Sequence, residues 1–340
     1  MTKKYNVAVV GATGAVGETM ISILEQRQFP VDNFFPLASN RSAGNLISFN
    51  GKKHQIQDLA EFDFTQADIG LFSAGGDISA IYAPKAGNAG CVVIDNTAHF
   101  RYDDDIPLVI PEVNPQAADD FQPRNIIANP NCSTIQMLVA LKPLHDVATI
   151  KRINVATYQA VSGSGKAAIE ELSQQTTDLL NFKDIKTNVY PKQIAFNVLP
   201  HIDVFLENGY TKEEMKMVWE TNKILDSKIK VNPSAVRVPV FYSHSEAINI
   251  ETETKLSAEA AREILNKAPG IKVVDQRKNG GYATPVTESA GNDQVFVSRI
   301  REDISCPNGL NLWVVSDNVR KGAALNSVQI AELLIERGLV

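Results

Sequence analysis

The fold is decided near the start of the chain, where Tyr5-Asn6-Val7-Ala8-Val9-Val10 runs directly into Gly11-Ala12-Thr13-Gly14-Ala15-Val16-Gly17. The first run is apolar and predicts a buried strand, and a helix-like pattern follows to about Gln28. In a dinucleotide-binding turn, the first glycine permits the tight turn, the second admits a pyrophosphate and the third allows close helix packing. The GxxGxxG spacing is a variant of the usual fingerprint, so a plain strand–turn–helix unit stays open as the alternative.

Further strand–turn–helix units follow this opening. Apolar runs at 67–73 and 91–95 predict two more strands, and the segment between them predicts a helix from about Asp77 to Gly90. A hairpin is predicted around Asn50-Gly51. Repetition of these units predicts a doubly wound α/β sheet, in which Cys91 is a core residue.

The turn after the second predicted strand, 34–38, indicates which cofactor the sheet binds. An NAD site usually places an acid there to accept the ribose 2′-hydroxyl, but this chain has Ser39-Asn40-Arg41-Ser42. A cation flanked by hydroxyl groups suits a 2′-phosphate, which predicts NADP. The alternative is a solvated surface arginine.

Cys132 lies in Asn129-Pro130-Asn131-Cys132-Ser133-Thr134, between a short apolar strand and a helix-like run that Pro143 is expected to end. Backbone N–H groups at a helix start have no intrahelical partner, so they favour a thiolate and can hold an oxyanion. The position predicts a nucleophile. The alternative is a buried structural cysteine.

A loop and a second glycine turn provide further candidates. Arg101 lies in a polar segment after the strand that ends at Asp95, where α/β sheets bind ligands, and it is either an anion contact or surface charge. Gln159 lies near the end of the predicted strand 151–161, just before Ser162-Gly163-Ser164-Gly165-Lys166. This turn lacks the spacer of a Walker A loop, so we expect it to approach the nicotinamide.

The second half of the chain contains the other candidate side chains. A helix is predicted from Thr211 to Leu225, where Glu213, Lys216 and Glu220 share a face of the kind usually solvated. Arg237 lies in a β-rich run, and His244 follows just before a predicted strand that starts at residue 247. They are seven positions apart, so a regular strand would point them to opposite faces, and a shared site requires a bend. A surface histidine is the alternative.

Composition limits the remaining choices. A chain of 340 residues predicts two domains, and a net charge of −6 without a basic cluster argues against nucleic acid. The three cysteines are widely spaced, which predicts a reducing compartment and neither disulfides nor a metal site. No signal peptide and no apolar run of about 18 residues occur, so a cytoplasmic protein is expected.

Taken together and in order, the motifs resemble the aspartate-β-semialdehyde dehydrogenase family over essentially the whole chain. The ordered set comprises the glycine turn, the Cys132 segment, Gln159 before its glycine turn, Arg237, Ser243-His244-Ser245-Glu246 and Asn318-Val319-Arg320-Lys321-Gly322. The resemblance implies NADPH-dependent reductive dephosphorylation of L-aspartyl-4-phosphate to L-aspartate-4-semialdehyde, on the route to lysine, threonine and methionine. It also implies a homodimer. The expected domains are an NADP-binding Rossmann domain (1–130 with the returning C-terminal helix, 318–340) and an α+β catalytic and dimerisation domain (131–317).

The resemblance also implies roles for individual residues. The catalytic roles fall on Cys132 as nucleophile, His244 as acid–base residue and Gln159 as the residue that positions the substrate. Substrate and phosphate contacts fall on Arg237 for the α-carboxylate, Glu213 for the α-amino group, and Arg101, Asn131 and Lys216 for phosphate. Cofactor contacts fall on Gly11, Thr13, Gly14, Ala15, Val16, Ser39, Arg41, Ser42, Ser162, Gly163 and Asn318. Glu213 and Glu214 are adjacent, so the register of the helix contacts stays open.

Three rival functions were weighed. An N-acetylglutamyl-phosphate reductase would use the same chemistry but has no need of an Arg and Glu pair for a free amino-acid head group. Glyceraldehyde-3-phosphate dehydrogenase carries Ser-Cys-Thr-Thr-Asn at its cysteine turn, which this sequence lacks. A non-catalytic NADP-binding regulator would not need Cys132, His244 and Arg237 together.

Overall fold

The computed structural model describes residues 3–340 and divides the chain into two compact units. The first unit ends at Asn131 and is completed by Ala323–Val340, and the second is Cys132–Gly322. The C-terminal segment thus returns to the first unit, as the apolar face of its predicted helix indicated. Asn318 belongs to the second unit, and Cys132 is the first residue of that unit.

The two units contain fourteen strands and seven α-helices within residues 3–340, besides five short 3-10 or π helices. The strands are β1 (Tyr5–Val10), β2 (Val31–Ala38), β3 (Leu46–Phe49), β4 (Lys52–Gln55), β5 (Gln57–Asp58), β6 (Ile69–Phe72), β7 (Val92–Asp95), β8 (Ile126–Ala128), β9 (Ile150–Gln159), β10 (Lys230–Arg237), β11 (His244–Thr252), β12 (Ile271–Val273), β13 (Val295–Glu302) and β14 (Gly309–Ser316). The helices are α1 (Ala15–Gln26), α2 (Gly76–Asn88), α3 (Cys132–Ala148), α4 (Lys166–Leu180), α5 (Lys212–Ile224), α6 (Ala258–Lys267) and α7 (Leu325–Glu336).

The first unit is built on a parallel sheet with strand order β5-β2-β1-β6-β7-β8. Its central strands β1 and β6 are mostly apolar, as is typical of a parallel sheet that helices cover on both faces. Val7 and Val9 are fully buried in a core that also contains Leu24 of α1 and Val328 of α7. The predicted doubly wound α/β fold is confirmed. The predicted hairpin is also present as β3 and β4, with Asn50 at φ 49° in the turn.

The second unit contains a mixed sheet with strand order β10-β9-β11-β14-β13-β12. The pairs β10/β9 and β13/β12 are parallel, and the pairs between them are antiparallel. Helices α3, α5 and α6 contact this sheet, whereas Tyr158 and Trp313 are partly exposed on it. Because β11 runs antiparallel to β9, its first residues lie beside the last residues of β9, which brings the candidate residues of both strands together.

One prediction about a proline was wrong. Pro143 was expected to end its helix, but α3 continues to Ala148, because the buried Leu141 and Leu144 hold this stretch against the core. A proline within a helix removes one hydrogen bond, and burial here outweighs that loss. The β-rich run predicted at 235–242 also differs in the structure: β10 is Lys230–Arg237, and Pro233 is tolerated because β10 is an edge strand.

His244 was expected in a loop before its strand, and that was also wrong. It is the first residue of β11, paired with Ser316 of β14, and its side chain is fully buried. The expected bend is present: β10 ends at Arg237, and Ser243 adopts a left-handed backbone conformation, with φ 73°. Among the helices of residues 3–340, none is long and apolar enough to cross a bilayer.

Candidate active site

The first unit has a dinucleotide-type turn between β1 and α1. Gly11 adopts φ 86°, a conformation that favours glycine, and a Cβ on Gly17 would lie 2.1 Å from the Gly11 carbonyl oxygen. The first and third glycines therefore have the geometry that the turn predicted. Gly14 is the N-cap of α1, and no described side chain caps the helix there. The first N–H groups of α1 remain suited to an anion such as a pyrophosphate.

A cavity of about 600 Å³ opens beside this turn. Its lining comprises Gly11, Thr13, Gly14, Ala38, Ser39, Asn40, Arg41, Asp58, Leu59, Ala60, Ser73, Ala74, Ile78 and Tyr82. The glycine turn and the turn after β2 thus meet at one cavity, and the residues present fit the adenosine and pyrophosphate portion of a dinucleotide. Of the cofactor residues predicted in this unit, Ala15, Val16 and Ser42 lie outside the lining.

Asp58 is a cavity residue that the sequence reasoning missed. Its carboxylate accepts hydrogen bonds from the Asn40 amide at 3.0 Å and the Ala60 backbone N–H at 3.0 Å. It lies in β5, a strand of two residues that pairs with the end of β2. No sequence signal marks so short a strand. Asp58 supplies the acid that seemed to be lacking from the cofactor site, but its carboxylate already binds two donors.

Arg101 and Asn131, predicted as phosphate contacts, both belong to the first unit and are buried. The Arg101 guanidinium donates from Nε to the Asn129 carbonyl at 2.9 Å and from Nη2 to the Asn96 carbonyl at 2.9 Å. The alternative in which Arg101 is surface charge is therefore wrong. These bonds hold the guanidinium beside the segment that leads to Cys132.

In the second unit, α3 begins at Cys132, as the sequence predicted. Its side chain is partly exposed, unlike that of Cys91, which is core as predicted and whose pKa is raised to about 12 by burial and then by Asp68. A Cβ on Gly322 would lie 2.8 Å from the Cys132 Cβ, so only glycine fits against the thiol-bearing residue. The alternative in which Cys132 is a buried structural cysteine does not fit this exposure.

Gln159 and Arg237 are register partners at the carboxyl ends of the parallel strands β9 and β10. Both side chains are nearly fully buried. The Arg237 guanidinium donates to the Ala160 carbonyl at 2.7 Å and lies 6.0 Å from the Tyr190 ring. Its Nε has no hydrogen-bond partner within the described part of the chain. A buried arginine with a spare donor is suited to a carboxylate ligand.

His244 lies against both residues. Its Nδ1 accepts the Ala160 backbone N–H at 3.0 Å, and its Nε2 is 3.5 Å from the Gln159 amide nitrogen. Because Nδ1 faces a donor, we assign the proton of the neutral ring to Nε2. Burial, followed by the positive charge of Arg237, lowers the pKa of His244 to about 3, against the opposing effect of Glu213. The ring is therefore neutral near pH 7.

Gly163 leaves space in front of these groups. A Cβ there would lie 3.1 Å from the Arg237 Nη1 and 3.3 Å from the His244 Nε2. Beside it, the Ser162 hydroxyl and the Asn318 amide bind each other, and the Asn318 Oδ1 also accepts the Ser243 backbone N–H at 2.9 Å. The predicted residues 162, 163 and 318 therefore adjoin His244 within the second unit.

The charged face of α5 was expected to be solvated, and that was wrong. Glu213 and Glu220 are buried, and the Glu213 carboxylate accepts from the Gln159 amide at 3.1 Å and from Lys216 Nζ at 2.8 Å. Lys216 also donates to Asp203 at 2.8 Å. Burial opposes the charged form of Lys216, but the two carboxylates outweigh it and raise its pKa.

The adjacent acid, Glu214, has a different task. Its carboxylate accepts the Thr211 backbone N–H, and the Thr211 hydroxyl accepts the Glu214 N–H, which completes a capping box at the start of α5. The Glu214 carboxylate also accepts the Ala235 N–H of β10. Glu214 thus fixes the helix, and Glu213 is the acid that contacts Gln159.

Replacing His244 with glutamine should make the fold less sensitive to acid. The folded-state pKa is about 3 and the unfolded value is ordinary, so between these values the unfolded state binds more protons and stability falls as the pH falls. From about pH 6.5 to pH 4, the wild type should lose on the order of a few kcal/mol more unfolding free energy than the variant. Urea unfolding at both pH values measures the difference. The exposed His99→Gln is the control, and identical pH slopes for wild type and His244→Gln would contradict the assignment.

The class of this protein follows from two family models that match the chain. A family model described as "Semialdehyde dehydrogenase, NAD binding domain" matches residues 6–121, and one described as "Semialdehyde dehydrogenase, dimerisation domain" matches residues 141–321. With the parallel sheet, the glycine turn and the cysteine at the helix start, these matches define an oxidoreductase of the semialdehyde dehydrogenase class with an NAD(P)-binding domain.

Individual relatives narrow the class. An aspartate-semialdehyde dehydrogenase from Shewanella violacea is 66% identical over 336 residues, which cover 98% of this chain and 99% of the relative. A solved aspartate semialdehyde dehydrogenase II from Vibrio cholerae, complexed with ASA, has a TM-score of 0.97 at 58% identity, covering 98% and 99% of the two chains. A Candida albicans enzyme solved with NADP has a TM-score of 0.80 at 25% identity, covering 99% and 100%. The chain belongs to the aspartate-semialdehyde dehydrogenase family.

Proposed function

We propose that this chain catalyses the NADPH-dependent reductive dephosphorylation of L-aspartyl-4-phosphate to L-aspartate-4-semialdehyde, through a thioester on Cys132. The product lies on the route to lysine, threonine and methionine. The observation that carries the proposal is the buried cluster of His244, Gln159 and Arg237 in the unit that begins with Cys132 at a helix start. The family names of the relatives support the same substrate.

The head group of the substrate is an amino acid, and two buried side chains suit it. The spare Nε of Arg237 can join its other donors in holding the α-carboxylate, since the planar fork of arginine binds both oxygens. Glu213 can hold the α-amino group, although its carboxylate already binds Gln159 and Lys216. The α-ammonium group of an incoming substrate must displace one of these two donors or share the carboxylate with them. The contact at Glu213 therefore distinguishes a substrate with a free amino group from one without.

The thiolate of Cys132 attacks the acyl carbon of the substrate, and the bond from that carbon to the phosphate oxygen breaks. Inorganic phosphate leaves with the bonding pair, and an acyl thioester remains on the sulfur. We assign the phosphate contacts to Arg101, Asn131 and Lys216, where two cations and an amide can offset the charge of the leaving group. Bound NADPH would supply the hydride that reduces the thioester.

His244 can act on the reacting oxygen through the proton on its Nε2. With the proton on that atom, the neutral ring can donate a hydrogen bond to the oxygen that develops negative charge during attack. When the tetrahedral adduct collapses, its oxygen re-forms the carbonyl bond as the carbon–sulfur bond breaks, which releases the aldehyde and regenerates the Cys132 thiolate. The charge of Arg237 lowers the pKa of His244, so a substrate carboxylate that pairs with Arg237 would raise the basicity of the ring.

We infer that the cofactor is NADP rather than NAD. Arg41 lines the cavity beside Ser39, and a cation there can bind a ribose 2′-phosphate. Asp58 lines the same cavity but is engaged by Asn40 and Ala60, so it is less free to accept a ribose hydroxyl. The Candida albicans relative solved with NADP supports this choice.

Replacing Arg41 with aspartate should weaken NADP binding by about 10- to 100-fold and leave NAD binding nearly unchanged or improved. The acid removes the partner of the 2′-phosphate, repels it and offers the hydroxyl of NAD an acceptor. Fluorescence titration with each reduced cofactor measures the two dissociation constants. Arg277→Asp makes the same charge change at an exposed position outside this cavity and is the control. Equal losses for NADP and NAD would show that Arg41 does not read the ribose.

We also propose a homodimer in the cytoplasm. The match to a domain described as a dimerisation domain supports the homodimer. The three cysteines of the chain are widely spaced, which supports a reducing compartment.

The direct test of the function is phosphate-dependent reduction of NADP with L-aspartate-4-semialdehyde, compared with N-acetylglutamate semialdehyde at the same concentration. We expect rapid turnover with the first aldehyde, dependence on phosphate and little activity with the second. Preference for the acetylated aldehyde would establish the N-acetylglutamyl-phosphate reductase activity instead. Tight NADP binding without turnover on either aldehyde would establish a non-catalytic NADP-binding protein.

A further inference from the structure

Glu246 is a buried acid that the proposed reaction does not use. It lies two residues after His244 on β11, and successive side chains of a strand alternate, so both project from the same face of the sheet. Its side chain has no exposed surface. Neither carboxyl oxygen has a hydrogen-bond partner within the described part of the chain. An ionised carboxylate in this position would be costly.

Gln136 is the side chain that faces Glu246. It lies on α3, four residues and about one turn after Cys132, and its exposed fraction is only 1%. Its amide nitrogen and oxygen likewise lack a partner among residues 3–340. Burial raises the pKa of Glu246 well above its usual value, and Gln136 is close enough to oppose that rise in part. The two groups are thus buried on elements that contact each other, α3 and β11, and each lacks a hydrogen-bond partner among residues 3–340.

The chemistry of the two groups matches only if the acid is neutral. A protonated carboxyl has one donor and one acceptor, and a primary amide has both as well, so two complementary hydrogen bonds can form between them. An ionised carboxylate could only accept and would leave the amide oxygen of Gln136 without a donor. The neighbouring polar pair on β9 has its own bond, since the Thr157 hydroxyl donates to the Gln159 Oε1 at 3.0 Å.

The pair lies on the two elements that carry the proposed reacting residues, α3 and β11. Helix α3 begins at Cys132 and packs against β11, which begins at His244. We infer that Glu246, as a neutral acid paired with Gln136, is a positioning residue that fixes the helix bearing the nucleophile against the strand bearing the acid–base residue. The inference rests on the proposed function, because it takes Cys132 and His244 as the reacting groups. Displacements of about 1 Å at such groups can cost about 100-fold in rate.

Three variants test the pair. Glu246→Gln keeps the shape, the neutrality and the ability to pair with an amide, so its kcat should stay within about threefold of wild type. Glu246→Leu and Gln136→Leu remove the pairing, and each should lower kcat by about 10- to 100-fold with little change in KM for the semialdehyde. The double variant should lose no more than either single one, because the two residues act as a unit.

Two further measurements distinguish a positioning role of the pair from a purely structural role. Thermal unfolding and the rate of Cys132 alkylation by iodoacetamide are followed for each variant. The leucine variants should keep the wild-type unfolding midpoint within about 5 °C, as apolar replacement of a buried polar pair is often tolerated, while the alkylation rate changes. Glu171→Gln is the control: the Glu171 carboxylate accepts the Asn188 and Val189 N–H groups, so that change should lower the midpoint and leave kcat unaltered.

Two results would overturn the inference. A loss of more than about tenfold in kcat for Glu246→Gln would mean that an ionised carboxylate is required. Wild-type kcat in both leucine variants would mean that the pair positions nothing. If Glu246→Leu does not fold, Gln136→Leu and Glu246→Gln decide between these results. Absence of turnover in the wild type would instead count against the proposed function, since all of these comparisons are made relative to an active enzyme.

Discussion

Replacing Cys132 with alanine should lower kcat by about four orders of magnitude or more and leave the dissociation constant for NADP unchanged. The thiolate forms the covalent bond on which the proposed reaction depends, and no other group in the sequence-predicted set can replace it. Cofactor binding should be unaffected because the cavity that fits the dinucleotide is in the first unit, whereas Cys132 opens the second. Steady-state kinetics beside a fluorescence titration with NADPH measures both quantities.

Cys306→Ala is the matched control, because Cys306 is the other partly exposed cysteine of the second unit. Its kcat should equal that of the wild type. Retention of more than about 1% of the wild-type kcat by Cys132→Ala would rule out Cys132 as the nucleophile.

Replacing Arg237 with lysine should lower kcat/KM by about 10- to 1000-fold, equivalent to roughly 1.4–4 kcal/mol of transition-state stabilisation. Lysine keeps the charge but loses the planar pair of donors, so it cannot hold both carboxylate oxygens in one orientation. Its single nitrogen would also have to replace both the Nη1 bond to the Ala160 carbonyl and the contact with the substrate from one position. A misplaced substrate reacts more slowly, so kcat is expected to fall together with substrate binding.

Arg262→Lys is the control for that variant. Arg262 binds Asp275 through Nε and Nη2, in an ion pair of the same unit that involves none of the proposed substrate residues. It should change stability more than kinetics. In Arg237→Lys, stoichiometric alkylation of Cys132 should persist. Wild-type kinetics in that variant would remove the main support for a free amino-acid substrate and favour the acylated glutamate instead.

Features set by neighbouring residues could be predicted from the sequence. The turn at Gly11 and the helix that begins at Cys132 depend on apolar runs and glycines a few residues apart, and these were read correctly. The helix predicted to start at Thr211 is also present, and Thr211 is the N-cap of α5 in a capping box. In each of these cases, residues close together in the sequence determine the local structure.

Features set by contacts between distant segments could not be predicted in this way. His244 has the sequence context of a loop residue, but pairing with Ser316 of β14 makes it the buried start of a strand. Glu213 has the spacing of a solvated helix face, but packing of α5 beside β10 places it against Gln159. Asp58 joins the cofactor cavity through a strand of only two residues. Tertiary packing overrode the local pattern in all three cases.

The central claim is that catalysis passes through a thioester on Cys132, and trapping that intermediate tests it most directly. The enzyme is mixed with L-aspartyl-4-phosphate in the absence of NADPH, quenched in acid and examined by intact-protein and peptide mass spectrometry, with released phosphate measured in parallel. Stoichiometric phosphate release, together with one aspartyl group on the peptide that contains Cys132, is the predicted result. Phosphate release without acylation, or acylation at another residue, would contradict the account.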